Sequence, residues 1–136
     1  MPTMIFVNLP VKDLDKSKQF FTELGFSINQ QFTDEKASSI VISDTIYLML
    51  LVEPFFKTFT KKDVADSSTT TEAIIALSAD SREAVDALVD KAIAAGAGPS
   101  NEPMDDGFMY ARSFADPDGH LFEVMWMDPA AVQPTS

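Results

Sequence analysis

The stretch Asp116-Pro117-Asp118-Gly119-His120-Leu121-Phe122-Glu123-Val124-Met125-Trp126 runs from a tight polar turn into an apolar strand with a carboxylate in its middle. The Pro and Gly residues punctuate the chain as a turn, and the residues that follow read as a strand. A carboxylate on an apolar strand needs a cation, hydrogen-bond donors or water to offset its desolvation. Glu123 is therefore the first residue to weigh for function, and its neighbours decide its role.

Working outward, the strand expected over His120 to Met127 is preceded by another from about Phe108 to Phe114. A third, weakly marked strand falls somewhere in Pro99 to Met104. Upstream, Thr71 to Leu77 reads as a strand, and Asp80 and Ser81 supply helix-start chemistry. Val85, Leu88, Val89, Ala92 and Ile93 then form an apolar stripe that stops before Gly96. The first half has the same order. Ile5 to Val11 is a strand, Asp13 precedes a helix carrying Leu14, Ser17, Phe21 and Leu24, and Gly25 ends it. Extended stretches follow over Ser27 to Phe32, Ala37 to Ile42 and Thr45 to Val52. Asp13 falls on Asp80 at an offset of 67, and Gly25 on Gly96 at 71. Two copies of one βαβββ unit follow from that self-similarity.

The fold class expected is α+β: two βαβββ modules, about 4–52 and 71–127, joined by a linker over 53–70 with a short helical or folded-back part. Together they form a single domain over 1–127, with a mobile tail at 128–136. Pro54-Phe55-Phe56 in the linker should cover a core, a cavity mouth or a subunit contact, because two adjacent phenylalanines are costly in water.

Composition removes much chemistry. In 136 residues, 46% of them hydrophobic, there is apolar material for one compact domain. A net charge of -11 would repel phosphate backbones and anionic lipid, so neither nucleic acid nor membrane is an expected partner. The absence of cysteine excludes disulfides, zinc thiolates and a cysteine nucleophile, and fits a cytoplasmic protein. With His120 the only histidine, multi-histidine metal sites are excluded as well.

The paired modules, the phrase Asn8-Leu9-Pro10-Val11-Lys12-Asp13-Leu14 before an amphipathic helix, and the Asp116-Pro117-Asp118-Gly119 turn before a strand glutamate resemble the vicinal oxygen chelate superfamily. That superfamily includes glyoxalase I, extradiol dioxygenases, fosfomycin-resistance enzymes and bleomycin-binding proteins. The resemblance implies that each module curls into half of a cupped mixed sheet, with a divalent metal held by side chains of the first and last strands. It maps the ligand positions onto Phe6, Leu48, Ala73 and Glu123. Only Glu123 can ligate through its side chain, so the usual metal site is expected to be degenerate. A one-residue register error would put Glu72 in place of Ala73.

Three roles are open to Glu123: metal ligand or general base, hydrogen-bond acceptor for a ligand, or a structural role, paired to Arg112 or facing a subunit contact. His120 falls on the opposite face from Glu123 and reads as a turn residue. Tyr110 and Arg112 share one strand face, turned to a cavity or to solvent. Two functions of different class follow. The first is a small-molecule binding protein of the bleomycin-resistance sort, with no cofactor. Phe6, Leu48, Ala73, Ile75 and Met125 line its pocket, and Asn8 and Glu123 serve as polar anchors. The second is a divalent-metal-dependent lyase or dioxygenase of the glyoxalase or extradiol type, using Glu123. A homodimer is implied in either case.

Overall fold

A computed structural model describes residues 2–131, and the chain divides into two compact units, Met1–Asp66 and Ser67–Ser136. The boundary falls inside the segment expected to link the modules.

In the first unit, strand β1 (Ile5–Val11) leads to helix α1 (Leu14–Glu23), which starts where the Asp13 side chain accepts a hydrogen bond from the Lys16 amide at 3.1 Å. Three further strands follow, β2 (Ser27–Asn29), β3 (Ala37–Val41) and β4 (Ile46–Val52), in the sheet order β1-β4-β3-β2 with β1 parallel to β4. The stretch expected to extend to Phe32 stops at Asn29. Its side chain accepts from the Gln31 amide at 3.1 Å and turns Gln30–Phe32 into one turn of 3-10 helix. Helix α1 packs on β3 and β4 and buries Leu14, Ser17, Phe20 and Phe21. Val11, Ile40, Leu48 and Leu50, all fully buried, are its counterparts in the sheet. The segment after β4 contains the short folded-back helix expected there: α2 (Glu53–Lys57), with Pro54 in its first turn, packs against β1 and β4.

The second unit repeats the topology. Strand β5 (Ile74–Ser78) leads to α3 (Arg82–Ala94), then β6 (Met104–Asp105), β7 (Met109–Ala115) and β8 (Leu121–Met127), ordered β5-β8-β7-β6 with β5 parallel to β8. The weakly marked strand is only two residues long, supplemented by one bridge between Gly98 and Ala115. Helix α3 packs on β7 and β8 through Val85, Val89 and Ala92, facing Phe114, Phe122 and Val124. The expected mobile tail lies mostly outside the described residues; within it, Pro129–Ala131 forms one 3-10 turn. No helix among the described residues is long and apolar enough to cross a membrane.

Candidate functional site: the open sheet faces and the 116–120 turn

Because strand side chains alternate, each sheet has one face under its helix and one without it. In the first unit Phe6 and Asn8 share the helix-free face with Tyr47 and Met49, their register partners on β4. Phe6 is 52% exposed, and its ring stacks on Tyr47 with centroids 5.1 Å apart and planes 13° apart. The Asn8 amide donates to the Phe6 carbonyl at 3.2 Å, leaving its own oxygen without a partner among the described residues. At the α2 end of this face a cavity of about 340 Å³ is lined by Asn8, Leu51, Phe56, Phe59 and Thr60. Phe59, 70% exposed, meets Phe55 edge to face.

Leu48 is not on this face. It is fully buried opposite Ile40 beneath α1, and Met49 takes the helix-free position expected of it. The second unit shows the same one-residue displacement. Helix α3 is capped by Ser81, whose hydroxyl accepts from the Ala84 amide at 3.0 Å, so Asp13 corresponds to Ser81 at an offset of 68 rather than 67. The counterpart of Phe6 is then Ile74, and Ala73 lies exposed just before the strand. Ile75 pairs with Phe122 on the α3 side, away from Glu123.

Glu123 and Met125 are on the helix-free face of the second sheet, half-buried. Glu123 lies in register with Ala76 and Ser113, and its carboxylate has no hydrogen bond or ion pair among the described residues. The Ser113 hydroxyl is tied to the neighbouring loop, accepting from the Asn101 amide at 3.1 Å. Arg112 is not its partner. It faces α3 and bonds Asp86 at 2.9 Å and Asp90 at 3.0 Å, while the Tyr110 hydroxyl donates to Asp86 at 2.7 Å. These bonds hold the Asp86 carboxyl below its usual range, Tyr110 contributing most, and raise the Tyr110 hydroxyl above its own. A second hollow of about 330 Å³ at the β7 edge borders Arg112, but that guanidinium is committed to the two aspartates.

The 116–120 turn has its own geometry. Asp116 is 3% exposed, and its Oδ1 accepts from the amides of Asp118 at 3.0 Å and His120 at 2.8 Å. Its Oδ2 is buried with no hydrogen-bond partner among the described residues. Burial pushes this carboxyl up to about 6, against the opposing pull of His120. Gly119 has φ +92, and a Cβ there would lie 2.5 Å from the Ser67 carbonyl oxygen, so only glycine fits. The Ser67 hydroxyl donates to the Asp118 carbonyl at 2.8 Å. One carboxylate oxygen each from Asp116 and Asp118 and a ring nitrogen of His120 lie within 4.8 Å of one another. Reading the turn only as punctuation missed this convergence; the signal was the spacing of donors at alternate positions around Pro117 and Gly119.

The model of the glyoxalase/bleomycin resistance protein/dioxygenase superfamily matches residues 3–124, and the chain belongs to that superfamily. A hypothetical protein, SA1046, from S. aureus is similar in structure, with 32% identity and a TM-score of 0.77 over 93% of this chain and 94% of that one. A bleomycin resistance determinant encoded on the transposon Tn5 is 18% identical, TM-score 0.65, over 93% of this chain and 99% of that one. Lactoylglutathione lyase from Agrobacterium tumefaciens is 15% identical, TM-score 0.71, over 97% and 98%. The last two likenesses show the fold alone. No curated protein sequence matches the chain.

Members of this superfamily often hold a divalent metal. The residues at the mapped positions do not fit one: Phe6 and Ile74 offer no donor, Met49 only a thioether, and Glu123 a single carboxylate.

Proposed function

We propose that the protein binds a small apolar or mixed-polarity molecule on the helix-free face of its first sheet, with its superfamily's metal site degenerate. The observation that carries this reading is the hollow lined by Asn8, Leu51, Phe56, Phe59 and Thr60, beside the exposed Phe6–Tyr47 stack. Its volume is at the small end of the range for ligand sites, and its lining is mostly apolar with few polar groups, as such sites are. Asn8 supplies an acceptor there.

Titration with uncharged planar aromatics, followed by thermal shift and calorimetry, tests the reading. Saturable binding weakened by Phe59→Ser and by Asn8→Leu is expected; Phe59 is exposed enough for the first change to leave the core alone. Binding that neither variant disturbs, or none at all, would sink it.

A second reading, a metal-dependent lyase or dioxygenase using Glu123, draws on one observation: that half-buried carboxylate lacks a partner among the described residues. Near one equivalent of metal per purified chain, lost in Glu123→Ala, would favour it over the first. We also propose a homodimer. β1 and β5 are sheet edges carrying Ile5 and Ile74, each more than half exposed. Light scattering behind size exclusion decides this, and a monomer at all concentrations refutes it.

A further inference from the structure

Nothing in the proposed function uses the 116–120 turn, yet it gathers the only cluster of three metal-ligating side chains found among the described residues. We propose that this turn binds one divalent transition-metal ion through Asp116, Asp118 and His120. Glu123 is not part of the cluster, so the proposal stands apart from the superfamily's metal position.

Four observations carry it. The three donor atoms lie within 4.8 Å of one another, the span two donors can have across one ion at metal–ligand distances of about 2.0–2.4 Å. Asp116, 3% exposed, keeps a buried Oδ2 with no hydrogen-bond partner among the described residues, although a buried carboxylate oxygen ordinarily has one. The other oxygen of the same carboxylate is held by the Asp118 and His120 amides, so the ligand's orientation is fixed before any ion arrives. Gly119 allows the tight course of the backbone that brings alternate side chains to one side.

The donor set selects the ion. Two carboxylate oxygens and one imidazole nitrogen suit manganese or zinc, and the nitrogen weighs against calcium and magnesium, which favour all-oxygen sites. Asp118 and His120 are half-buried rather than sealed, which leaves a path of entry. Such an ion would fasten a turn on which Ser67 also rests.

The test uses the full chain, freed of metal by chelator and dialysis, with Mn²⁺ alone and Zn²⁺ alone as probes. Calorimetry should give one ion per chain, with affinity lowered about 10-fold or more in Asp118→Asn and His120→Gln and unchanged in Glu123→Gln. Asp116→Asn is avoided because Oδ1 of Asp116 holds the turn. A readout on the unaltered chain guards against variants that fail to fold. His120 is the only histidine, so its imidazole proton signals are unique, and substoichiometric Mn²⁺ should broaden them before other signals. No saturation by about 1 mM of either ion, or His120 signals untouched by Mn²⁺, would overturn the proposal. So would binding that survives both turn variants or disappears in Glu123→Gln.

Discussion

The two units share a topology and hold their helices to their sheets by different means. In the first, α1 inserts Phe20 and Phe21, set edge to face at 87°, into a sheet face of Leu48, Leu50 and Ile40. In the second, α3 offers only Val85, Val89 and Ala92 to the core, and the sheet answers with the stacked pair Phe114 and Phe122. The smaller helix residues leave room at the rim for charge. Both arginines of the chain are here: Arg112 bridges Asp86 and Asp90, and Arg82 sits over Tyr110 and Trp126 while its guanidinium grips Asp105. One topology therefore admits an aromatic wedge or a small-residue contact with a charged border. The first should fail when volume is removed, and the second should respond to salt and pH.

The largest effect expected is from Phe20→Ala, which removes a fully packed ring from the first unit and should cost about 3–5 kcal/mol in urea unfolding. A loss under about 1 kcal/mol would mean that the wedge does not hold α1 in place. Next comes Gly119→Ala. The left-handed backbone alone costs about 1–2 kcal/mol for a residue with a Cβ, and the clash with Ser67 adds to it. Tolerance of alanine would show that Ser67 does not lie on the turn.

Arg112→Met keeps the side chain's apolar stem but breaks both aspartate contacts, and should cost about 1–2 kcal/mol at low salt. The gap should narrow at high salt, whereas the Phe20→Ala deficit should not. The smallest effect concerns Asp105, held down to about 2 by the hydrogen bonds from Arg82 and by the Gly107 amide. Its folded-state value lies below its unfolded one. The stabilisation is therefore present above about pH 4 and lost as pH falls through about 2. Denaturation curves of the natural chain and Asp105→Asn should differ at pH 5 and converge near pH 2. A constant offset across that range would remove the pair from the account.

Legibility in the sequence followed chemical distinctness. Asp13, Gly25 and Gly96 mark helix ends because capping and left-handed termination admit few residue types, and the structure places all three at those ends. The repeated βαβββ order could be read for the same reason. Site positions were harder, because Asp80 and Ser81 can both cap a helix, and choosing the first shifts the repeat by one residue. In a strand one residue exchanges the faces, and Leu48 and Ile75 lie under the helices instead of on the helix-free faces expected for them. The partners of Arg112 had a signal that went unread: Asp86 and Asp90 sit four apart on one side of α3. The fold-back of α2 was legible in Pro54-Phe55-Phe56, since adjacent phenylalanines need cover, whereas its bounds were not, because five residues are too few to carry a period.

The Ser67 hydroxyl and the Asp118 carbonyl it meets are 51 positions apart, which ties the opening of the second unit to a turn near its end. During synthesis at about 5–20 residues per second, Ser67 is added to the chain roughly 3–10 seconds before Asp118, which carries its acceptor. The first unit has by then emerged whole, while the second can close only when its last hairpin is made.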